Sequence, residues 1–169
     1  MDEINSLKIE QTSQNYYSLK NKNKNIKIKL NKILCPFGID EQYGHSVIKF
    51  ELDQTNEKHI EVISQLRDFE TKLKEQFHSS DEEWKSLINL RENNNIFIEA
   101  KIKKIKNNII TKLTFDDNDT NYLKTIYELN KNFISDVLLE MPTLWDFRKE
   151  SNNVNKIGLL LNVTNIHIY

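Results

Sequence analysis

Residues 157–168 read Ile157-Gly158-Leu159-Leu160-Leu161-Asn162-Val163-Thr164-Asn165-Ile166-His167-Ile168, and their phase governs how the chain must fold. Ile157, Leu159, Leu161 and Val163 alternate with period two and share one face of an extended strand. Ile166 and Ile168 fall out of that phase. One extra residue near Thr164 or Asn165 returns them to the apolar side, so the stretch predicts a long strand carrying a β-bulge.

Other segments obey the same period. Ile26, Ile28 and Leu30 alternate with Lys27 and Lys29, and Ile48, Phe50 and Leu52 alternate with Val47, Lys49 and Glu51. Between these two strands, Pro36-Phe37-Gly38 and Gly44 bracket a turn. In a strand expected over 96–102, Ile96, Ile98, Ala100 and Ile102 point one way and Phe97, Glu99, Lys101 and the following Lys103 the other, giving one apolar and one largely basic face. Further strands are expected over 109–115 and 133–141. A helix interrupts the series: Thr55 or Asn56 can cap it, and Ile60, Ile63, Leu66, Phe69, Leu73 and Phe77 recur at helical spacing. Ser80 and Glu83 form a capping box before Trp84, Leu87 and Ile88, which predicts a short second helix. Asp116-Asp117-Asn118-Asp119 reads as a turn and 122–129 as a helical turn. Six strands with one substantial helix after the second strand indicate a mainly β protein with a helical insertion, an α+β chain built as a small barrel or sandwich.

The 169 residues suit one domain. Lys20-Asn21-Lys22-Asn23-Lys24-Asn25 offers nothing to bury, so residues 1–25 are expected to be a flexible or docked arm and 26–169 the single domain, with regular structure starting after the run. Eight Phe, six Tyr and two Trp provide core anchors despite 29% charged residues. No apolar run reaches the roughly 20 residues of a membrane span, and the start has neither basic leader nor apolar segment; neither membrane insertion nor secretion is expected. The single cysteine, Cys35, reads as a packed small hydrophobe in a reducing compartment.

Net charge is −1, but its distribution is uneven. Between Gln11 and Ile39 there is no acidic residue, while Lys20, Lys22, Lys24, Lys27, Lys29 and Lys32 supply six positive charges. Residues 101–115 repeat the pattern with Lys101, Lys103, Lys104, Lys106 and Lys112. Lysines neutralise phosphates and aromatic faces stack bases without reading sequence, so these segments point to single-stranded nucleic acid. The stacking candidates are Phe97 beside Lys101 and Lys103, Tyr43 near His45 and Lys49, and Trp145 with Phe147 before Arg148 and Lys149. Trp145 suits a barrel end as well as a stacking surface, and Tyr16 and Tyr17, in the acid-free segment, suit base stacking or, in preference, docking of the arm.

Catalytic and metal chemistry find little support. His45, His59, His78 and His167 do not cluster, no cysteine pair or glycine-rich phosphate loop exists, and residues 116–119 lack the later ligands of a calcium loop. No enzyme, cofactor or metal is expected.

Two stretches carry a family resemblance. Phe133-Ile134-Ser135-Asp136-Val137-Leu138-Leu139-Glu140, then Leu144-Trp145-Asp146-Phe147 and Lys156-Ile157-Gly158-Leu159, form one; Leu34-Cys35-Pro36-Phe37-Gly38-Ile39 with the strand 48–52 and the helix form the other. Together they resemble the single-stranded-DNA-binding proteins of giant (nucleocytoplasmic large DNA) viruses, oligonucleotide-binding (OB) folds similar to podovirus helix-destabilising proteins. The resemblance implies an OB-fold-like small β-barrel that coats single-stranded DNA in viral replication, recombination or repair, in the host cytoplasm or nucleus, with replication proteins as further partners and a homodimer as an allowed assembly. It carries over Lys101, Lys103 and Trp145 as DNA contacts and no catalytic residue. The family's acidic C-terminal tail has no counterpart in Asn165-Ile166-His167-Ile168-Tyr169, so recruitment through such a tail is not expected. With the lysine segments, the expected DNA-binding set is Lys27, Lys29, Lys32, Tyr43, Lys49, Phe97, Lys101, Lys103, Lys104, Lys106, Lys112, Trp145 and Arg148. The competing reading is a structural or protein-interaction module, a virion component whose lysines are solvated strand edges.

Overall fold

The computed structural model describes residues 7–42, 44–90, 95–106, 108–115, 120–122, 132–149 and 155–169. In chain order the elements are β1 (Leu7–Ser13), β2 (Tyr16–Asn21), β3 (Ile26–Cys35), β4 (Ile39–Gln42), β5 (His45–Leu52), α1 (Glu57–Gln76), β6 (Trp84–Lys85), β7 (Ile88–Leu90), β8 (Ile96–Ile102), β9 (Lys104–Ile105), β10 (Asn108–Ile109), β11 (Lys112–Phe115), β12 (Thr120–Tyr122), β13 (Phe133–Asp146) and β14 (Ile157–Ile168). Twelve strands belong to one sheet and β9 pairs only with β10. The fold is mainly β with one helix, as the periodicity requires, but with more strands than the six expected.

Five strands carry the frame. β13 pairs antiparallel with β3, β3 with β5 and β5 with β8; β8 runs parallel to β14, which pairs antiparallel with β13 again. The pairings thus return to their starting strand. The β3–β5 seam is narrow, with Leu34 opposite Glu51 as its register pair. Ile28 and Leu30, Phe50 and Leu52, Ile98 and Ala100, Val137 and Leu139, and Leu161 and Val163 all lie in one buried cluster, to which α1 adds Ile63, Leu66, Phe69 and Leu73. Burial of this apolar surface is the main stabilising term.

Register breaks explain the long strands. Leu138 faces Asn165 and Leu139 faces Val163, so Thr164 is the extra residue of the bulge read from the sequence. Its hydroxyl donates to the Leu138 carbonyl at 3.0 Å. In β13 a second break lies between Glu140 and Thr143, where Pro142 has no N–H to give the ladder. Here the strand changes partner, from β3 up to Met141 to β2 from Thr143. A third break lies in β3 at Asn31 and Lys32; Lys32 has a positive φ of 50°, and its N–H donates to an Asp136 carboxylate oxygen at 2.8 Å.

Four local expectations need correction. Regular structure precedes the lysine-asparagine run: β1 and β2 form a hairpin laid on β13, and Leu19 is fully buried. The run itself holds a two-residue turn, with Lys22 and Asn23 at positive φ between reciprocal Asn21 and Lys24 backbone hydrogen bonds of 2.9 Å, the geometry that matches strand twist. The Ser80–Glu83 capping box forms, at 2.9 and 3.3 Å, but closes a single turn before β6 instead of opening a helix. The expected strand 109–115 is divided between β10 and β11, and the expected strand 133–141 runs on to Asp146. The turn at 116–119 and most of the helical turn at 122–129 lie outside the described residues, apart from Tyr122, which is in β12.

Candidate nucleic-acid interface

Paired residues on adjacent strands point to the same side of a sheet, so register alone assembles a surface. On the outside of β13 and β14, one row runs Lys27, Glu140, Asn162, Lys101 and Val47 across β3, β13, β14, β8 and β5. A second runs Lys29, Leu138, Asn165 and Lys112 across β3, β13, β14 and β11. The two lysine-rich segments, far apart in sequence, therefore flank one surface, at about 14 Å from each other at the usual strand spacing. A third row, nearer the start of β14, runs Tyr16, Trp145, Gly158 and Lys85 across β2, β13, β14 and β6.

That third row is aromatic. Trp145 lies 5.7 Å from Phe147 at a tilt of 40°, and Tyr16 meets Phe147 edge-on at 5.7 Å. Gly158 makes the arrangement feasible: a Cβ there would fall 2.7 Å from Trp145 Cζ2 and 3.2 Å from Lys85 Cβ. Trp145 is half-buried and Tyr16 exposed, so the cluster combines a supported indole with accessible ring surface. From Gly158 to Asn165 the surface extends roughly 20 Å along β14.

Charge on this surface is only partly compensated. Lys27, Lys29 and Lys112 on it, and Lys32 and Lys106, which belong to none of its three rows, are exposed and form no ion pair among the described residues. Burial, then the charge of Lys85, hold Lys101 below the usual lysine range, against a smaller opposing effect of Glu99. Other expected contacts have carboxylate partners: Lys49 with Glu99 at 3.5 Å, Lys104 with Glu41 at 3.9 Å, and Lys103 with Glu140 at 2.9 Å. The Lys103 backbone is pinned as well. Its N–H donates to the Thr111 hydroxyl at 3.0 Å, which donates to the Val163 carbonyl beside the bulge at 2.6 Å.

Arg148 is committed to the fold. Its Nε and Nη2 grip both oxygens of Asp146 at 2.9 and 2.8 Å, and Nη1 donates to the Phe77 carbonyl at the end of α1 at 3.2 Å. The Arg148 hydrogen bond depresses the Asp146 pKa, and Asp146 in turn raises that of Arg148. Phe97 is 4% exposed and lies beneath the exposed Phe37, rings 5.7 Å apart, so Phe37 presents the aromatic surface there. Tyr43 lies outside the described residues. Sequence reasoning missed Phe37, Lys85 and Gly158 as parts of this surface and preferred docking to stacking for Tyr16. A glycine inside an apolar strand was the one available signal, since it marks a close approach.

No family model matches the chain, and no curated protein matches it in sequence. Solved structures do. The single-stranded DNA-binding protein from bacteriophage Enc34 matches with a TM-score of 0.55 at 12% identity, over 96% of this chain and 89% of that one. The same protein in complex with single-stranded DNA matches at 0.52 and 12%, over 98% and 96%. The bacteriophage T7 single-stranded DNA-binding protein gp2.5 matches at 0.52 and 5%, over 85% and 86%. The chain has the fold of these phage proteins. The expected fold of a single-stranded-DNA-binding protein is thereby met by phage proteins; a giant-virus origin is not shown by them.

Proposed function

We propose that the chain is a non-catalytic single-stranded-DNA-binding protein, and that its five-strand circuit is an OB-type barrel with the strand laid along the outside of β13 and β14. The observation that carries this reading is the convergence of lysines from β3, β8 and β11 on one surface that ends in the Tyr16–Phe147–Trp145 cluster. Lys27, Lys29, Lys101 and Lys112 hold phosphates; Trp145 and its neighbours stack bases, each stack contributing about 1 to 3 kcal/mol. The phage proteins of the same fold, one bound to single-stranded DNA, support the reading. Service in viral replication, recombination or repair, in host cytoplasm or nucleus, belongs to the same proposal.

The test is fluorescence anisotropy with labelled oligo-dT, duplex DNA and single-stranded RNA across a salt series. Four phosphate contacts give a log–log salt slope of about −3 on a single strand. Lys29→Glu/Lys112→Glu should weaken binding and flatten the slope, and Trp145→Ala should weaken binding about tenfold with the slope unchanged. No binding to oligo-dT at low salt would leave the interaction-module reading in the lead, a reading favoured by the carboxylate partners of Lys49, Lys103 and Lys104.

A further inference from the structure

One carboxylate occupies the middle of the lysine surface. Acidic residues in β13 and β14 are Asp136, Glu140 and Asp146. Asp136 accepts the Lys32 N–H and Asp146 is gripped by Arg148, which leaves Glu140 between Lys27 and Asn162. Its Oε2 takes the Lys103 ammonium at 2.9 Å, reached from the far side of β14, and the Asn25 amide at 3.4 Å. The Glu140 side chain is 12% exposed and that of Lys103 31%, so the pair is partly withdrawn from water. Burial alone would raise the Glu140 pKa, but the Lys103 hydrogen bond and charge, with Asn25 and Lys27, bring it below the usual carboxylate range.

We infer that Glu140 is an internal stand-in for a DNA phosphate, holding Lys103 until the strand displaces it and thereby limiting affinity. The inference rests on the proposed DNA-binding reading and names a control built into that surface. An oxygen anion at Glu140 receives the ammonium and amide hydrogens that a phosphate crossing the same row would receive. The strand must either take Lys103 from Glu140 or pass a fixed negative charge. Both weaken binding and lower by about one the number of phosphates neutralised, favouring release over retention.

The experiment measures oligo-dT anisotropy across salt for the full chain, Glu140→Gln, Lys103→Gln and the double variant, with melting curves for each. Glutamine keeps the shape and an acceptor while removing the charge. Glu140→Gln should bind about five- to tenfold more tightly at moderate salt, with a slope steeper by about 0.7. Lys103→Gln leaves the carboxylate uncompensated and should bind more weakly than the double variant, a comparison that removes shared structural effects. Glu140→Gln affinity equal to or below that of the unaltered chain, or Lys103→Gln no weaker than the double variant, would overturn the inference. Failure of the unaltered chain to bind oligo-dT at low salt is a different result: it removes the proposed function and this control with it.

Discussion

A methyl group at position 158 would fall 2.7 Å from the Trp145 ring, too close for either to stay in place. Gly158→Ala should therefore swing the indole off β14, lowering oligo-dT affinity and shifting tryptophan emission, while the salt slope is kept because no lysine has moved. Thr111 is fully buried and joins Lys103 to Val163; Thr111→Val leaves an amide and a carbonyl unsatisfied, a loss of about 1 to 3 kcal/mol in denaturant unfolding. At this scale the sequence reveals residue types but not their commitments. Lysine positions were legible, yet Lys103 meets its carboxylate 37 residues away, a partner that only register supplies. Phe97 was visible as an aromatic on the basic face; that Phe37 covers it depends on how the turn at 36–38 folds back. Arg148 looked available because nothing in local spacing shows a guanidinium already gripped by Asp146 and the end of α1.

Among elements, those with a sustained period were readable. α1 begins after Asn56, whose side chain accepts the Lys58 N–H, and β8 spans the residues expected of it, because a sustained run of alternating or helical side chains outweighs local noise. The bulge at Thr164 was legible for the same reason, as a break in a long phase. Removing Thr164 should turn Ile166 and Ile168 outward, so a single-residue deletion there is expected to lose cooperative thermal unfolding, whereas Thr164→Ser keeps the hydroxyl and should melt nearly as the unaltered chain does. Two- and three-residue strands such as β6, β7 and β9 carry no period to detect; their pairing partners create them. The capping box at Ser80 illustrates the converse. Its two reciprocal bonds form in one turn, but a helix needs propagation, and Trp84 is drawn instead into pairing with Ile157.

For the whole molecule, acid is the sensitive direction. Asp146, through the Arg148 hydrogen bond, and Glu140, through its lysine partners, both have lowered pKa values in the folded chain. The stability they contribute is complete above the ordinary carboxylate range and is lost as pH falls through their lower folded values. Denaturant midpoints should thus hold from neutral pH to about pH 5 and then decline, and Arg148→Met should lower the neutral plateau while making the acid decline shallower. The circuit of strands also sets an order of events. β3, β5 and β8 come early in the chain, and β7 pairs the first half of β8, yet the free side of β3 and the Lys101–Ile102 end of β8 wait for β13 and β14, which are supplied last among the described strands. A chain emerging from the ribosome therefore holds one open edge on β3 and one partly open edge on β8 until β13 and β14 are released. Slow closure dominated by distant pairings, and a dependence of soluble yield on temperature and chaperone supply during synthesis, are the expected consequences.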